Sequence, residues 1–243
     1  MNNKIEILSV GIPVMTRCEV MREIEAALCE KRGMKIFTPN PEMLLGARKD
    51  PALSAILNSA DLLLPDGIGI KIASHIMERP IPERISGIDT ALDILRLAEA
   101  RGLSVFLLGG KEGTADKAAK NLKSLLPRLN ICGTHHGYFE KSGEKNTAVI
   151  EKIRSASPDI LFVCFGFPLQ EDWICKNSSA LPSVRVSMGL GGSLDVWSGE
   201  KKRAPKFIQR VGFEWLWRSV LEPKRLKIFL EIPEFLYFAL KER

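Results

Sequence analysis

One acidic residue, Asp66, lies where its chemistry would matter, in the stretch LLLPDGIGI at residues 62–70. An apolar run ends at Pro65, the carboxylate follows, and two glycines come next. Two roles suit such a residue. It can cap the N-terminus of a helix over 67–78, or it can accept a proton from a substrate hydroxyl as a general base. Spacing alone favours the cap.

Other polar or glycine-rich residues follow the remaining apolar runs. Thr38 ends the run MKIFT and Asn40 follows it, and Gly109 ends LSVFLLG and Gly110 follows it. Gln170 and Glu171 follow DILFVCFG, and Gly191 and Gly192 follow VRVSMGL. In open α/β sheets ligands gather beyond the carboxyl ends of the strands. We therefore expect these residues and Asp66 to converge on one rim.

The glycine pairs admit two interpretations. A strand, then glycines, then a helix start is typical of a phosphate-binding turn. The spacing of Gly109, Gly110 and Gly113 is not GxGxxG, however, and no Walker A sequence follows. A tight turn at 109–110 and close packing at 191–192 are equally good explanations.

Two further stretches carry charged or titratable side chains. Arg84 in ERISGID precedes a helix predicted over 88–101. It is either a surface residue or a partner for Asp66 or a substrate anion. The adjacent histidines of HHGYF (135–139) would project in different directions in an extended segment, so a loop role is favoured over an acid–base pair.

The elements that must position these residues alternate between strands and helices. The alternation predicts an α/β fold with a mostly parallel sheet flanked by helices. Strands are predicted at 5–10, 34–38, 61–65, 103–109, 159–166 and 184–190, with a weaker candidate at 129–134. Helices are predicted at 17–32, 41–58 (interrupted by Pro51), 67–78, 88–101, 112–126, 145–156 and 169–179.

The last fifth of the chain differs from the rest. The net charge of the 243 residues is +6, and the stretch from 199 to 243 carries eleven basic and six acidic residues, hence most of the excess. It also holds five of the eleven phenylalanines. We divide the chain into a catalytic core at 1–196 and a helical basic and aromatic appendage at 197–243, with breaks near Pro223 and Pro233.

Such an appendage suits the surface of an anionic membrane. A helix packed on the body or a subunit interface is an alternative, and nucleic-acid binding ranks lowest because no recognised motif supports it. Five cysteines without a CxxC pair indicate a reduced, cytosolic protein. No signal peptide or run of about 18 apolar residues is visible.

Seven motifs in order make the chain resemble the WecG/TagA/CpsF glycosyltransferase family. They are FTPNPEML (37–44), LLPDGIGI (63–70), ERISGID (83–89), FLLGG (106–110), FGFPLQEDWI (165–174), GLGGSLDVWSGEKKRAP (189–205) and EWLWRSVLEPKR (214–225). The resemblance implies a Rossmann-like fold and an inverting transfer of N-acetylmannosamine, or another N-acetylhexosamine, from a UDP-sugar. The acceptor would be N-acetylglucosamine linked to undecaprenyl diphosphate, on the cytoplasmic face of a bacterial membrane, for teichoic acid or exopolysaccharide.

The resemblance also implies roles for single residues. Asp66 matches the catalytic base and Thr38 a nearby active-site residue. Asn40, Arg84, Gly109, Gly110, Gln170 and Glu171 match pocket positions, and we add Gly191 and Gly192 as substrate-binding residues. Arg218 and Arg225 match arginines that hold the donor diphosphate. The basic residue expected three positions after Arg225 is replaced by Ile228, so Lys224 or Lys227 would substitute, or the clamp is weaker.

Several alternatives stay open at this point. No suitable DxD pair is present, so no cofactor and no obligatory metal ion are expected. The donor could instead carry glucuronic acid, glucose or N-acetylmannosaminuronic acid. A non-catalytic nucleotide-binding protein on the membrane is a further reading, whereas a nicotinamide-dependent oxidoreductase lacks its GxGxxG fingerprint. A homo-oligomer is possible.

Overall fold

A six-stranded, wholly parallel sheet forms the centre of the protein. The computed structural model describes residues 3–210, 212, 214–221 and 228–241. In spatial order the strands are β4 (Leu62–Leu63), β3 (Met34–Phe37), β8 (Val186–Gly189), β7 (Ile160–Cys164), β5 (Ser104–Gly109) and β6 (Asn130–His135). The predicted parallel α/β sheet is therefore confirmed, including the weak candidate that became β6.

Helices cover both faces of the sheet. Their bounds are α1 (Arg17–Glu30), α2 (Pro41–Lys49), α3 (Pro51–Asn58), α4 (Ile68–Ile76), α5 (Gly87–Arg101), α6 (Thr114–Leu125), α7 (Gly143–Ala156), α8 (Leu169–Asn177), α9 (Ser193–Trp197), α10 (Lys206–Arg210), α11 (Glu214–Leu221) and α12 (Ile228–Lys241). The predicted break at Pro51 separates α2 from α3, as expected of a residue that cannot donate a backbone hydrogen bond.

The central strands are buried on both faces, which explains their continuous apolar sequence. In β7, Phe162 packs into the apolar cluster that contains α1, α5 and α6, while Leu161 and Val163 pack into the cluster on the opposite face. The alternation follows from the two-residue period of a strand. The sheet is thus a rigid base for the loops at its carboxyl edge.

The N-terminal prediction was wrong in detail. The run at 5–10 does not join the parallel sheet. It folds into an antiparallel hairpin of β1 (Lys4–Ile7) and β2 (Val10–Pro13). Leu8 and Ser9 both have positive φ, +50° and +64°, as a two-residue turn of this hand requires.

The C-terminal part contains a helix that continues through a proline. The predicted break at Pro233 is not observed, because Pro233 lies inside α12. Phe235 and Ala239 of this helix are buried, and Phe235 packs beside Gly69 of α4. Burial of this face offsets the cost of about 3 kcal/mol for an interior proline.

Two side chains within α12 contact the C-terminal end of α2. Lys49 pairs with Glu234 at 3.0 Å, and the guanidinium of Arg48 lies 3.8 Å from the ring centre of Phe238. Among the described residues no helix has the length and apolar character needed to cross a bilayer. The division of the chain at residue 196 stays a prediction.

Candidate active site

A cleft of about 510 Å³ opens at the carboxyl edge of the sheet, beyond β3, β4, β7 and β8. The C-terminal segment, residues 197–243, contributes part of its wall. Seven of the residues singled out from the sequence line it: Thr38, Asn40, Asp66, Arg84, Gln170, Gly191 and Gly192. The expected convergence of strand ends is thus observed for four strands.

Asp66 occupies the cleft but caps a different helix from the one expected. The N-cap of α4 is Gly67, and no side chain caps that helix. Oδ2 of Asp66 instead accepts a hydrogen bond from the backbone N–H of Gly87, at 3.4 Å. Gly87 begins α5, so the carboxylate lies at the positive end of that helix. Its side chain is about one-third exposed, at 35%, and so faces both protein and cleft.

The loop after β3 forms the wall beside Asp66. The backbone N–H of Asp66 donates to the carbonyl of Pro39 at 3.1 Å. Asn40 is the N-cap of α2, and its Oδ1 accepts from the N–H of Met43 at 2.9 Å. Thr38 packs so closely on Gly87 that a Cβ there would lie 2.8 Å from the threonine methyl. Thr38 and Asn40 thus fix the two helix starts that border the cleft.

Arg84 is the basic side chain among the described lining residues, and it lies between two acids. Its Nη1 is 3.8 Å from Oδ1 of Asp66, and its Nη2 is 3.2 Å from Oε2 of Glu214. The sharper of the two sequence interpretations, a partner for Asp66, is therefore the observed one. Glu214 opens the motif EWLWRSVLEPKR but was not singled out from the sequence, because its partner Arg84 lies 130 residues away in the chain.

Among the charged side chains that line the cleft, acids outnumber bases in the described part of the chain. Glu42 of α2 and Glu231 of α12 join Asp66 and Glu214, so that four carboxylates and one guanidinium line it within the described part of the chain. Carboxylates accept hydrogen bonds from hydroxyls. The cleft therefore suits a neutral, hydroxyl-rich ligand better than a phosphate on its own.

Gln170 connects two loops of the cleft. Its Oε1 accepts from the N–H of Gly166 at 3.2 Å and from that of Gly191 at 2.8 Å. The loops after β7 and β8 are thereby held together. The predicted role of Gln170 as a pocket residue agrees with its place in the lining, where it also positions backbone.

Glu171, the next residue, is buried beneath the cleft and does not line it. Its Oε1 accepts from Nε2 of Gln170 at 2.8 Å, whereas Oε2 has no hydrogen-bond partner among the described residues. Burial raises the pKa of this carboxyl above its usual range. Glu171 supports the amide of Gln170 from below.

Gly109 and Gly110 lie away from the cleft. Gly109 has a φ of +141°, and a Cβ there would lie 2.7 Å from the carbonyl carbon of Cys164. Gly110 donates to the carbonyl of Cys164 and accepts from the N–H of Gly137. Close packing of three loops accounts for this glycine pair, and the structure does not bring it into the lining with Asp66.

Some predicted features, among them the break near Pro223, lie outside the described residues. The side chain of Arg218 and the whole of Arg225 lie outside the described residues, as do Lys224 and Lys227. The loop role of HHGYF agrees with the position of residues 136–139 after β6, where His135 stacks on His136. The described residues hold no group of three or more His, Cys, Asp or Glu side chains arranged for a metal ion.

Known proteins with related sequences establish the class. Residues 5–243 match the profile of the glycosyl transferase WecG/TagA/CpsF family. A protein of Bacillus spizizenii is 36% identical over 214 residues, 88% of this chain and 81% of its own length. One of Staphylococcus aureus is 33% identical over 242 residues, 99% of this chain and 93% of its own. Both are named N-acetylglucosaminyldiphosphoundecaprenol N-acetyl-beta-D-mannosaminyltransferase. This chain therefore belongs to the WecG/TagA/CpsF family of glycosyltransferases.

Proposed function

We propose that this glycosyltransferase moves N-acetylmannosamine from UDP to N-acetylglucosamine on undecaprenyl diphosphate, in the synthesis of cell-wall teichoic acid. The observation that carries the proposal is a carboxylate, Asp66, in an acidic cleft at the sheet edge of a chain about one-third identical to relatives with that name. A hydroxyl-rich acceptor sugar fits the carboxylates of the lining.

The reaction is a direct displacement with inversion. Asp66 accepts the proton of the acceptor's 4-hydroxyl while the oxygen attacks C1 of the donor sugar, and UDP leaves. The N–H of Gly87 and the guanidinium of Arg84 hold Asp66 in place. Thr38, beside Gly87, keeps the start of α5 at the correct distance. Asn40 orients the loop opposite.

The donor diphosphate needs positive charge, which the described lining offers only through Arg84. We assign this task to Arg218 and Arg225 of the C-terminal segment, as the family resemblance implies, with Lys224 or Lys227 in place of the residue replaced by Ile228. Arginine binds phosphate oxygens in pairs through its planar fork. No metal ion is required in this scheme.

The C-terminal segment also provides the contact with the membrane. Phe207 of α10, Val220 of α11, and Tyr237 and Leu240 of α12 are exposed apolar side chains, and the segment carries most of the net positive charge. Exposed apolar groups among basic residues suit an anionic lipid surface. We therefore assign the protein a peripheral position on the bacterial plasma membrane, on the inner face that the family resemblance implies.

The activity is tested by measuring UDP release with a short-chain polyprenyl-diphosphate N-acetylglucosamine acceptor. The donors are the UDP derivatives of N-acetylmannosamine, N-acetylglucosamine, glucose, glucuronic acid and N-acetylmannosaminuronic acid. We expect turnover with the first, dependent on acceptor and unchanged by EDTA. Turnover with another donor would replace the assigned sugar, and binding of NAD(H) without UDP-sugar turnover would contradict the proposal.

Membrane contact is tested by flotation with vesicles that contain about one-third anionic phospholipid. Replacing Phe207 and Val220 together with serine should weaken binding several-fold. The matched control is Tyr138→Ser, which removes an equally exposed aromatic ring near the end of β6. Equal binding by both variants would contradict the assignment. Sedimentation at the same concentrations reports whether a homo-oligomer forms.

A further inference from the structure

A chain of alternating charges connects Asp66 with the C-terminal segment. We propose that Glu214, the first residue of α11, is a positioning residue for the general base. It holds Arg84 beside Asp66, and at the same time it fixes the C-terminal segment over the cleft. This inference rests on the proposed function, because it assigns Asp66 the role of base.

The first half of the chain of charges runs from Asp66 to Glu214. Arg84 spans the two acids, 3.8 Å from one and 3.2 Å from the other, and also donates to the backbone carbonyl of Gln209 at 3.2 Å. The side chains of Arg84 and Glu214 are only 18% and 12% exposed. Partly buried pairs are screened less by solvent and salt than surface pairs.

The second half runs from Glu214 to Asp89. Oε1 of Glu214 accepts from Nε of Arg203 at 3.0 Å, and both terminal nitrogens of Arg203 bind the carboxylate of Asp89, at 2.6 and 2.7 Å. Burial alone would raise the pKa of Asp89, but the hydrogen bonds and charge of Arg203 outweigh it and lower that pKa. Two-point contact fixes the orientation of the guanidinium.

The two ends of this chain of charges, Asp66 and Asp89, both lie at the start of one helix. Asp66 accepts from the N–H of Gly87, and Asp89 belongs to the same first turn of α5. The path therefore leaves the start of α5, passes through Arg203 and Glu214 of the C-terminal segment, and returns to the start of α5. The segment cannot move from the cleft without breaking ion pairs that also position the base.

The ionisation of Asp66 should depend on this arrangement. From the elements around the cleft, Glu42 of α2, Glu231 of α12 and Glu214 of α11 present acids, and Arg84 presents the cation. Arg84 is shared by two carboxylates, so the negative charge of Glu214 offsets part of the positive potential that Arg84 produces at Asp66. Removal of that charge should lower the pKa of Asp66.

The test compares the acid limb of the kcat/KM–pH profile in two variants. Glu214→Gln keeps the shape of the side chain and loses the charge, so we expect the limb to move down by roughly 0.5–1 pH unit, with a lower plateau. Arg203→Gln removes the cation that neutralises Glu214 on its far side. It should move the limb upward by a smaller amount.

Shifts of the acid limb in opposite directions in these two variants would separate an electrostatic role of Glu214 from a merely structural one. The matched control is Glu234→Gln, which removes an acid of α12 that pairs with Lys49 outside the cleft, and it should leave the limb in place. If Glu214→Gln does not fold, the upward shift in Arg203→Gln decides alone. Lower turnover with an unmoved limb in the variants that fold would overturn the inference. A wild-type protein without transferase activity would instead overturn the proposed function.

Discussion

Two glycine pairs at strand ends look alike in the sequence and differ in the structure. Gly109 is the last residue of β5 and Gly110 follows it, while Gly191 and Gly192 follow β8. A Cβ at Gly109 would collide with the backbone of Cys164, whereas a Cβ at Gly191 would meet no described atom within 4 Å apart from its chain neighbours. The first pair closes one end of the sheet edge, and the second leaves the other end open as the cleft.

The difference shows what a glycine after a strand can indicate. Both glycines have a positive φ, +141° at Gly109 and +53° at Gly191, which glycine adopts at less cost than other residues. Only the surroundings decide whether the missing side chain makes room for neighbouring backbone or for a ligand. Those surroundings come from other strands, so the choice between them is a property of the assembled sheet.

The largest effect is expected at the open end, from Asp66→Asn. The amide can still accept from the N–H of Gly87, so folding should be preserved, but it cannot accept a proton at neutral pH. Loss of a general base typically lowers turnover by about 10²–10⁴-fold. UDP release and thermal unfolding, measured together, separate the loss of chemistry from a loss of stability.

The control for this substitution lies at the other end of the same strand. Asp61 precedes β4, and its carboxylate accepts from the N–H of Lys35 at 2.7 Å. Asp61→Asn should retain both stability and turnover. Near-normal turnover in Asp66→Asn would reduce Asp66 to a cap for α5.

At the closed end, Gly109→Ala should mainly affect stability. A methyl group there meets the backbone at Cys164 and the residue adopts an unfavourable φ, and together these cost about 3 kcal/mol or more of unfolding free energy. Urea denaturation measures the change. A loss below about 1 kcal/mol would show that the loops at this end can separate, and the contrast with the cleft would disappear.

At the open end, Gly191→Ala should cost only about 1 kcal/mol, since the backbone strain is present but no clash occurs. Its methyl group would project into the cleft that includes Gln170 and Gly192. We therefore expect a raised KM for a substrate with a smaller change in stability. A stability loss equal to that of Gly109→Ala, with KM unchanged, would contradict the assignment of this pair to the substrate site.

Local patterns predicted most of the fold. Continuous apolar strands and amphipathic helices gave the parallel sheet, because burial on two faces has a clear signature in the sequence. The prediction of a single strand at 5–10 was wrong, since the turn at Leu8 and Ser9 uses residues that seldom adopt positive φ. The predicted break at Pro233 was wrong because the tertiary packing of Phe235 outweighs the local preference of proline to end a helix.

The site was only partly predictable, for a related reason. Residues after strands converge by rule, so Asp66, Asn40 and Gln170 could be grouped from the sequence. Which helix Asp66 caps depends on how the loop before α5 folds back, and the role of Glu214 depends on a contact between distant segments. Neither leaves a periodic signal.

The smallest effect of a substitution is expected at Glu171, which lies between the closed end and the open end of the sheet edge. Its raised pKa means that the folded protein holds this proton more tightly than the unfolded chain does. The stabilising contribution of the protonated form is complete below the unfolded pKa of about 4.3 and is lost as the pH rises through the folded value. Glu171→Gln imitates the protonated carboxyl and keeps an oxygen for the amide of Gln170.

The variant should therefore gain stability relative to the wild type as the pH rises from 5 to 8, by about 1.4 kcal/mol for each unit by which burial raises the pKa above 5. Urea denaturation at both pH values measures the gain. Glu144→Gln, an exposed glutamate in the first turn of α7, is the control and should show none. Parallel curves for wild type and Glu171→Gln would mean that water or movement of α8 solvates the carboxylate, and that the support beneath Gln170 is less rigid than its burial implies.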